Sequence, residues 1–258
     1  MVSWIVVSRS KHAESRWLPR QSFDFAAQLD VVEVLAREIS ALLPHYTLTF
    51  IKKADESYQL SALLGLGFKR NFYVTQEGQW LCESVPAVLR GYPFMLAKGK
   101  NNALCIDENR LSAEEEAIAI FDEGGKLAPA AAEMLVFLQD CENDRQKTEV
   151  ACASLAGLGI LKEWPLKADR GDDKEPKSIQ GLYRVDEEAL NSLDNESLGA
   201  LRSTGGLLLA YAQLFSLNQL AGLSARSGYL GDQAAAAAEN KKNLAALFED
   251  GGLNFDSF

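Results

Sequence analysis

Histidine is scarce in this chain, and its scarcity excludes more chemistry than any abundant residue supplies. Only His12 and His45 occur in 258 residues, and neither has an HxxxH or HxD companion. Cys82, Cys105, Cys141 and Cys152 form no CxxC pair, so no dedicated zinc site and no bound metal are expected. Positive charge is also short: 36 acidic against 26 basic side chains give a net charge of −10. That balance opposes the phosphate neutralisation on which sequence-independent DNA or RNA capture depends, so no nucleic-acid partner is expected. A long unbroken apolar run is missing as well. The longest, residues 205–223, contains Tyr211, Gln213, Ser216, Asn218 and Gln219 and reads as a buried helix, where a membrane span needs ~20 mostly apolar residues. The brief apolar run at residues 4–7 precedes its basic residues, the reverse of an export signal. Widely spaced cysteines suit a reduced interior, and these features together predict a cytoplasmic protein without a membrane span.

Reaction motifs are missing too. There is no GxSxG elbow, and residues 63–67 offer GxG without the third glycine of a dinucleotide cradle. Cys105 lies in an apolar run, where a thiol packs as a small hydrophobe. Acidic pairs such as Asp107-Glu108 and Glu187-Glu188 are so numerous that none stands apart from solvating charge. No cofactor is expected.

What the chain does contain is a dense block at residues 71–107. Residues 71–74 and 79–81 are short aromatic and β-branched runs around a turn in which Gly78 supplies a positive φ, which predicts a hairpin. Ser84 ahead of Val85-Pro86 reads as the N-cap of a short helix ending near Leu89 and Arg90. Gly91 then releases the chain into residues 92–97, which pair across a polar turn with residues 103–106 as a second hairpin.

This block resembles the SapC family, a bacterial group without a settled biochemical activity. The resemblance is carried by Arg9, Lys11, His12, Leu63-Leu64-Gly65-Leu66, Asn71-Phe72-Tyr73-Val74, Gly78-Gln79-Trp80, Val85-Pro86-Ala87, Arg90, Tyr92-Pro93-Phe94 and Leu104-Cys105-Ile106-Asp107-Glu108. It resumes at Gly181-Leu182-Tyr183-Arg184-Val185-Asp186 and in the segment 207–217, and it covers roughly residues 5–224. Val88 stands where the family often has an aromatic, and Gly91 where it often has a second basic residue. The resemblance implies gene neighbourhoods shared with TonB-dependent receptors, cupin-like proteins and tryptophan-halogenase-like proteins, and hence a protein partner.

Elsewhere the apolar spacing of Val31, Val34, Leu35, Ile39 and Leu42 predicts a helix over 31–43, stopped by Pro44. Strands are predicted at 4–7, 46–51, 60–66, 161–166 and 179–185. Ser112 with Glu115 has capping-box spacing for a helix reaching Ile120, and further helices are read at 130–144, 147–156, 186–203 and 205–224. Residues 167–177 read as a charged loop. The fold class is α+β: an antiparallel β-rich half at 1–110 covered by a helical half at 111–227, together one SapC-like unit. Residues 228–258 form an appendage, with an alanine-rich helix over 232–248 and Phe248, Phe255 and Phe258 as candidate docking aromatics.

Trp80, Arg90, Tyr92, Phe94 and Asp107 are the candidate binding residues, because aromatic faces, a guanidinium and a carboxylate suit a peptide or carboxylate ligand. The same five also fit an aromatic core with an Arg–Asp tether. The leading expectation is a non-catalytic binding or accessory protein that recognises a protein, peptide or small carboxylate. The rival is an enzyme acting on a peptide or small molecule with a supplied cofactor. Elemental analysis of the purified protein is expected to find no stoichiometric transition metal; about one dialysis-resistant zinc or iron per chain would revive the enzyme reading.

Overall fold

The computed structural model describes residues 2–97, 102–114, 116–168 and 177–227. Its larger core is built on a five-stranded antiparallel sheet in the spatial order Leu161–Glu163, Leu182–Val185, Leu48–Lys52, Tyr58–Leu63, Val31–Glu33. Leu48, Phe50, Leu60 and Ala62 are fully buried there, and helices from the C-terminal half cover the sheet through Leu155, Leu201 and Leu209. A second antiparallel sheet places Leu104–Asp107 between Trp4–Val6 and Phe94–Leu96. Its smaller core gathers Trp17, Phe94, Leu104, Ile106, Ile120 and Leu138. The class is therefore α+β, as the sequence predicts. No helix among the described residues is long and apolar enough to cross a membrane.

Several local expectations are corrected. Residues 31–43 do not form one helix: Val31–Glu33 is an edge strand, followed by the 3-10 turn Ala36–Glu38 and the short helix Ile39–Leu42. β-branched Val31 and Val32 pair with Leu63 and Ala62, and Val34 and Leu35 are both fully buried, so burial here follows neither period. The helix expected to end at Ile120 is absent. Leu111–Ser112 and Ile118–Ala119 instead flank Arg16–Trp17 in a small sheet, while the Ser112 hydroxyl accepts the Glu114 N–H at 3.1 Å in a local turn. Glu115 lies outside the described residues.

The helices read separately at 130–144 and 147–156 are one, Pro129–Gly157, with proline at its first turn. It is anchored in its middle by Arg145, paired with Glu33 and Glu142, and by the Thr148 hydroxyl, which accepts the Ala36 N–H at 2.9 Å. Conversely, the helix read at 186–203 is two, Glu187–Asn191 and Asn195–Thr204, each started by an aspartate cap, Asp186 and Asp194. The charged loop is bounded by a two-stranded ribbon, Leu166–Ala168 with Lys177–Ile179. Residues 228–258, with the predicted helix and Phe248, Phe255 and Phe258, lie outside the described residues.

One polar insertion holds the central sheet together. Leu182 and Tyr183 pair with Ile51 and Phe50, and continuing that register would bring Val185 opposite Leu48. There the helix Gly206–Ser216 intervenes. Gln213 Oε1 accepts the Val185 N–H at 2.9 Å and its Nε2 donates to Leu48 O at 3.4 Å, so the side-chain amide takes the place of a peptide group. The Ser216 hydroxyl accepts the Leu48 N–H at 2.8 Å. Gln213→Leu leaves a buried N–H and C=O unpaired and is expected to cost about 2–4 kcal/mol of unfolding free energy. Leu208→Ser on the exposed side of the same helix should stay within about 0.5 kcal/mol, as compared by urea denaturation.

Candidate ligand-binding cleft

A cavity of about 440 Å³ opens between the free edges of the two sheets. Val31, Val32 and Glu33 line it on one side and Phe94, Met95 and Leu96 on the other. A strand that presents one face contributes alternate residues, so consecutive lining residues mean that each strand offers its backbone edge. The register agrees. Val34 N–H donates to Leu60 O at 3.0 Å and Leu64 N–H to Asp30 O at 2.8 Å, which turns the peptide groups of Val31 and Glu33 out of the sheet. Asp107 N–H donates to Pro93 O at 2.9 Å and Ala97 N–H to Ala103 O at 2.8 Å, which turns Phe94 O and both polar groups of Leu96 outward. Among the described residues, the outward groups of Val31, Glu33 and Leu96 have no backbone partner.

Residues Ala87, Val88 and Leu89 of the short helix Ala87–Arg90 form a further wall, facing Leu138 and Cys141 of the long helix. Pro86, where Ser84 was expected, is the N-cap of that short helix. Its first N–H, from Ala87, donates to Glu38 Oε2 at 2.7 Å, while Glu38 Oε1 accepts from Leu35 at 2.9 Å. Gly91 follows, and a Cβ there would fall 2.8 Å from Leu138 Cδ2, so a larger residue would have to displace the Leu138 side chain. The hairpin expected at 71–81 is reduced to a single bridge, Val74 with Trp80, around Gly78 at φ +74°.

Tyr92 and Phe94 line the cleft; Trp80, Arg90 and Asp107 do not. Asp107 is 2 % exposed and serves as a structural hub. Its carboxylate accepts from Ser3 N–H at 3.0 Å, Asn109 Nδ2 at 2.8 Å and the Tyr92 hydroxyl at 2.7 Å, and it is not paired with Arg90. Trp80 instead donates its indole N–H to the Tyr46 hydroxyl at 2.9 Å. The structure nevertheless joins Trp80 to the cleft through two rings that the sequence reading passed over. Ring centroids step from Trp80 to Phe23 at 5.0 Å, to Phe25 at 6.1 Å, to Tyr92 at 3.9 Å and to Trp4 at 6.3 Å. The alternation Phe23-Asp24-Phe25 was the available signal.

Burial governs the titratable groups here. It pushes the Tyr92 phenol up to about 12, helped by the Asp107 carboxylate, and it raises the Cys141 and Cys105 thiols. Burial alone would also raise Asp107, but the hydrogen bonds from Tyr92, Ser3 and Asn109 outweigh it and hold that carboxyl below its ordinary range. Desolvation works against the Arg145 charge, yet Glu33 and Glu142 overcome it and keep the guanidinium firmly protonated. Among the described residues, no three His, Cys, Asp or Glu side chains converge as a metal-holding group.

Residues 7–223 match the SapC family model, and the chain belongs to the SapC family. No curated protein and no solved structure matches it.

Asp107→Asn is expected to cost on the order of 2 kcal/mol near neutral pH, since it weakens a set of charge-assisted hydrogen bonds. A carboxyl held low in the folded state contributes fully above its ordinary value near pH ~4, and that contribution is lost as pH falls through the folded value. Wild type and variant should therefore converge in stability in acid, as read from denaturant midpoints across a pH series.

Proposed function

We propose that this chain is a cytoplasmic, non-catalytic binding or accessory protein that captures an extended segment of a protein or peptide in the cleft. The observation that carries this reading is the lining of one cavity by the backbone edges of two sheets. Edge strands with unpaired N–H and C=O groups template a further strand, and natural proteins ordinarily blunt or cover them. Here Val31, Glu33 and Leu96 offer such groups beside an apolar surface suited to alternate side chains of a guest strand. The cavity also has the size of a ligand pocket, within the usual range of roughly 300–1,000 Å³.

Protonation states favour binding over chemistry. The Cys141 thiol at the cleft is raised by burial and the Tyr92 phenol sits at about 12, so both carry their protons at neutral pH. Glu33 is engaged by Arg145 at 2.8 Å. The four cysteines are all free thiols, which supports a reducing compartment.

The peptide acetyl-Val-Thr-Val-Phe serves as a test. Its binding should slow hydrogen exchange at the Val31 and Glu33 amides, and an analogue N-methylated at alternate peptide groups should bind at least about tenfold more weakly, a loss of ~1.4 kcal/mol. Tight binding with unchanged exchange at those amides would refute strand addition.

A further inference from the structure

The helix Gly206–Ser216, which ties the central sheet through Gln213 and Ser216, turns large apolar side chains outward on its other face. Leu208, Tyr211 and Phe215 are 55 %, 42 % and 61 % exposed, and the Tyr211 and Phe215 rings stack with centroids 6.0 Å apart. Helix continues beyond them. The chain passes through the 3-10 turn Leu217–Gln219 into a further helical stretch at 220–227, and Ser216, Leu217 and Leu220 at the junctions keep right-handed helical dihedrals. On this rod of about 33 Å, exposed Asn218, half-buried Gly222 and exposed Ala225 extend the outward row. The spacing 208, 211, 215, 218, 222, 225 alternates three and four, which is the seam of a helix pair. No charged residue occurs between Arg202 and Arg226, and none of the six lines the cleft.

An exposed, uncharged apolar row of this kind marks an interaction surface. The length of chain beyond Ser227 names its occupant. Gly228-Tyr229-Leu230-Gly231 has the length of the loops that join antiparallel helices, and Gly228 stands where a helix is commonly stopped. The helix that the sequence predicts over 232–248, outside the described residues, is thereby placed to fold back along the rod. A helix over that segment, about 26 Å long, reaches from Ser227 back to Tyr211. Counting outward from the loop sets Ala234 against Ala225, Ala237 against Gly222 and Lys241 against Asn218. Further out, Leu244 falls against Phe215 and Phe248 against Tyr211. Small residues thus meet where the short loop draws the helices together, the polar position of each row meets the other, and large residues meet at the far end.

We propose that residues 232–248 dock as a helix on the row from Tyr211 to Ala225 and cover it within the same molecule. An alanine-rich helix of this length is marginal alone and gains its stability from such a seam. A second copy is the weaker occupant. The chain carries a net charge of −10, so pairing two rods brings like-charged bodies together, whereas a segment tethered by so short a loop is held at an effective concentration on the order of millimolar. Phe248, expected from the sequence to dock on a partner, is thereby assigned to the chain's own surface. Leu208 faces Gly251, past the end of the segment, so its substitution leaves the contact intact, in keeping with the small effect expected of Leu208→Ser.

Hydrogen exchange of the full chain tests the contact. The amides of Leu244, Leu247 and Phe248 should exchange at least about tenfold more slowly than in the same chain carrying Phe215→Asp. Leu244→Asp, on the other side of the seam, should remove the protection of the segment equally and decides the matter if Phe215→Asp fails to fold. In both variants the amides of Leu48–Lys52 should stay protected, which shows that the sheet is intact. Leu208→Ser should leave the segment protected. Exchange in wild type as fast as in Phe215→Asp overturns the docking, and so does protection that survives Phe215→Asp, because the segment is then held elsewhere. Loss of protection in Leu208→Ser as large as in Phe215→Asp overturns the pairing. Protection that disappears on dilution, together with a dimer in sedimentation, gives the seam to a second copy and overturns the proposal.

Discussion

The buried carboxylate of Glu38 is the constraint on which the cleft depends. Its two oxygens bind the Leu35 and Ala87 amides, so one side chain closes the turn after the edge strand and starts the helix of the opposing wall. Neither end has another side-chain cap, and a helix of four residues has little cohesion of its own. Burial pushes the Glu38 carboxyl up while the two amides and the charges of Arg90 and Arg37 pull it down. An acid placed there is tolerated because each oxygen meets a donor that would otherwise be orphaned.

Around that tie the molecule separates its polar work from its apolar work. Asp107 ties the first strand, the Tyr92 ring and the turn at Asn109 to one point, and Gln213 does the same for the central sheet. These buried polar groups are matched by donors and acceptors of the chain itself. The outward edges of Val31, Glu33 and Leu96 meet no backbone partner among the described residues, and they line the same cavity as Phe25 and Tyr92.

Much of this was legible where the constraint is local. Gly78 had to supply a left-handed turn, Pro129 had to open a helix, and the pairing of residues 94–96 with 104–106 follows from two apolar runs across a polar turn. Residues 31–43 misled because the edge strand buries Val32 while the turn after it buries Val34 and Leu35, an order that mimics helical spacing. Trp80, Arg90, Tyr92, Phe94 and Asp107 lie close in sequence, yet the cleft collects only Tyr92 and Phe94 among its lining residues. Phe23 and Phe25, the rings that link Trp80 to Tyr92, come from a distant segment, and no local pattern could announce which ring they would stack upon.

The amide of Gln213 has a consequence for how the chain is made. Leu48 and its hydrogen-bond partner Gln213 are 165 residues apart, so the centre of the sheet stays incomplete until nearly all of the described chain has left the ribosome. During that interval the hairpin of Leu48–Lys52 and Tyr58–Leu63 exposes a row of unmet backbone groups beside a strongly apolar strand. Contacts of such long sequence separation close slowly, because the loop between them must be ordered before they reward it.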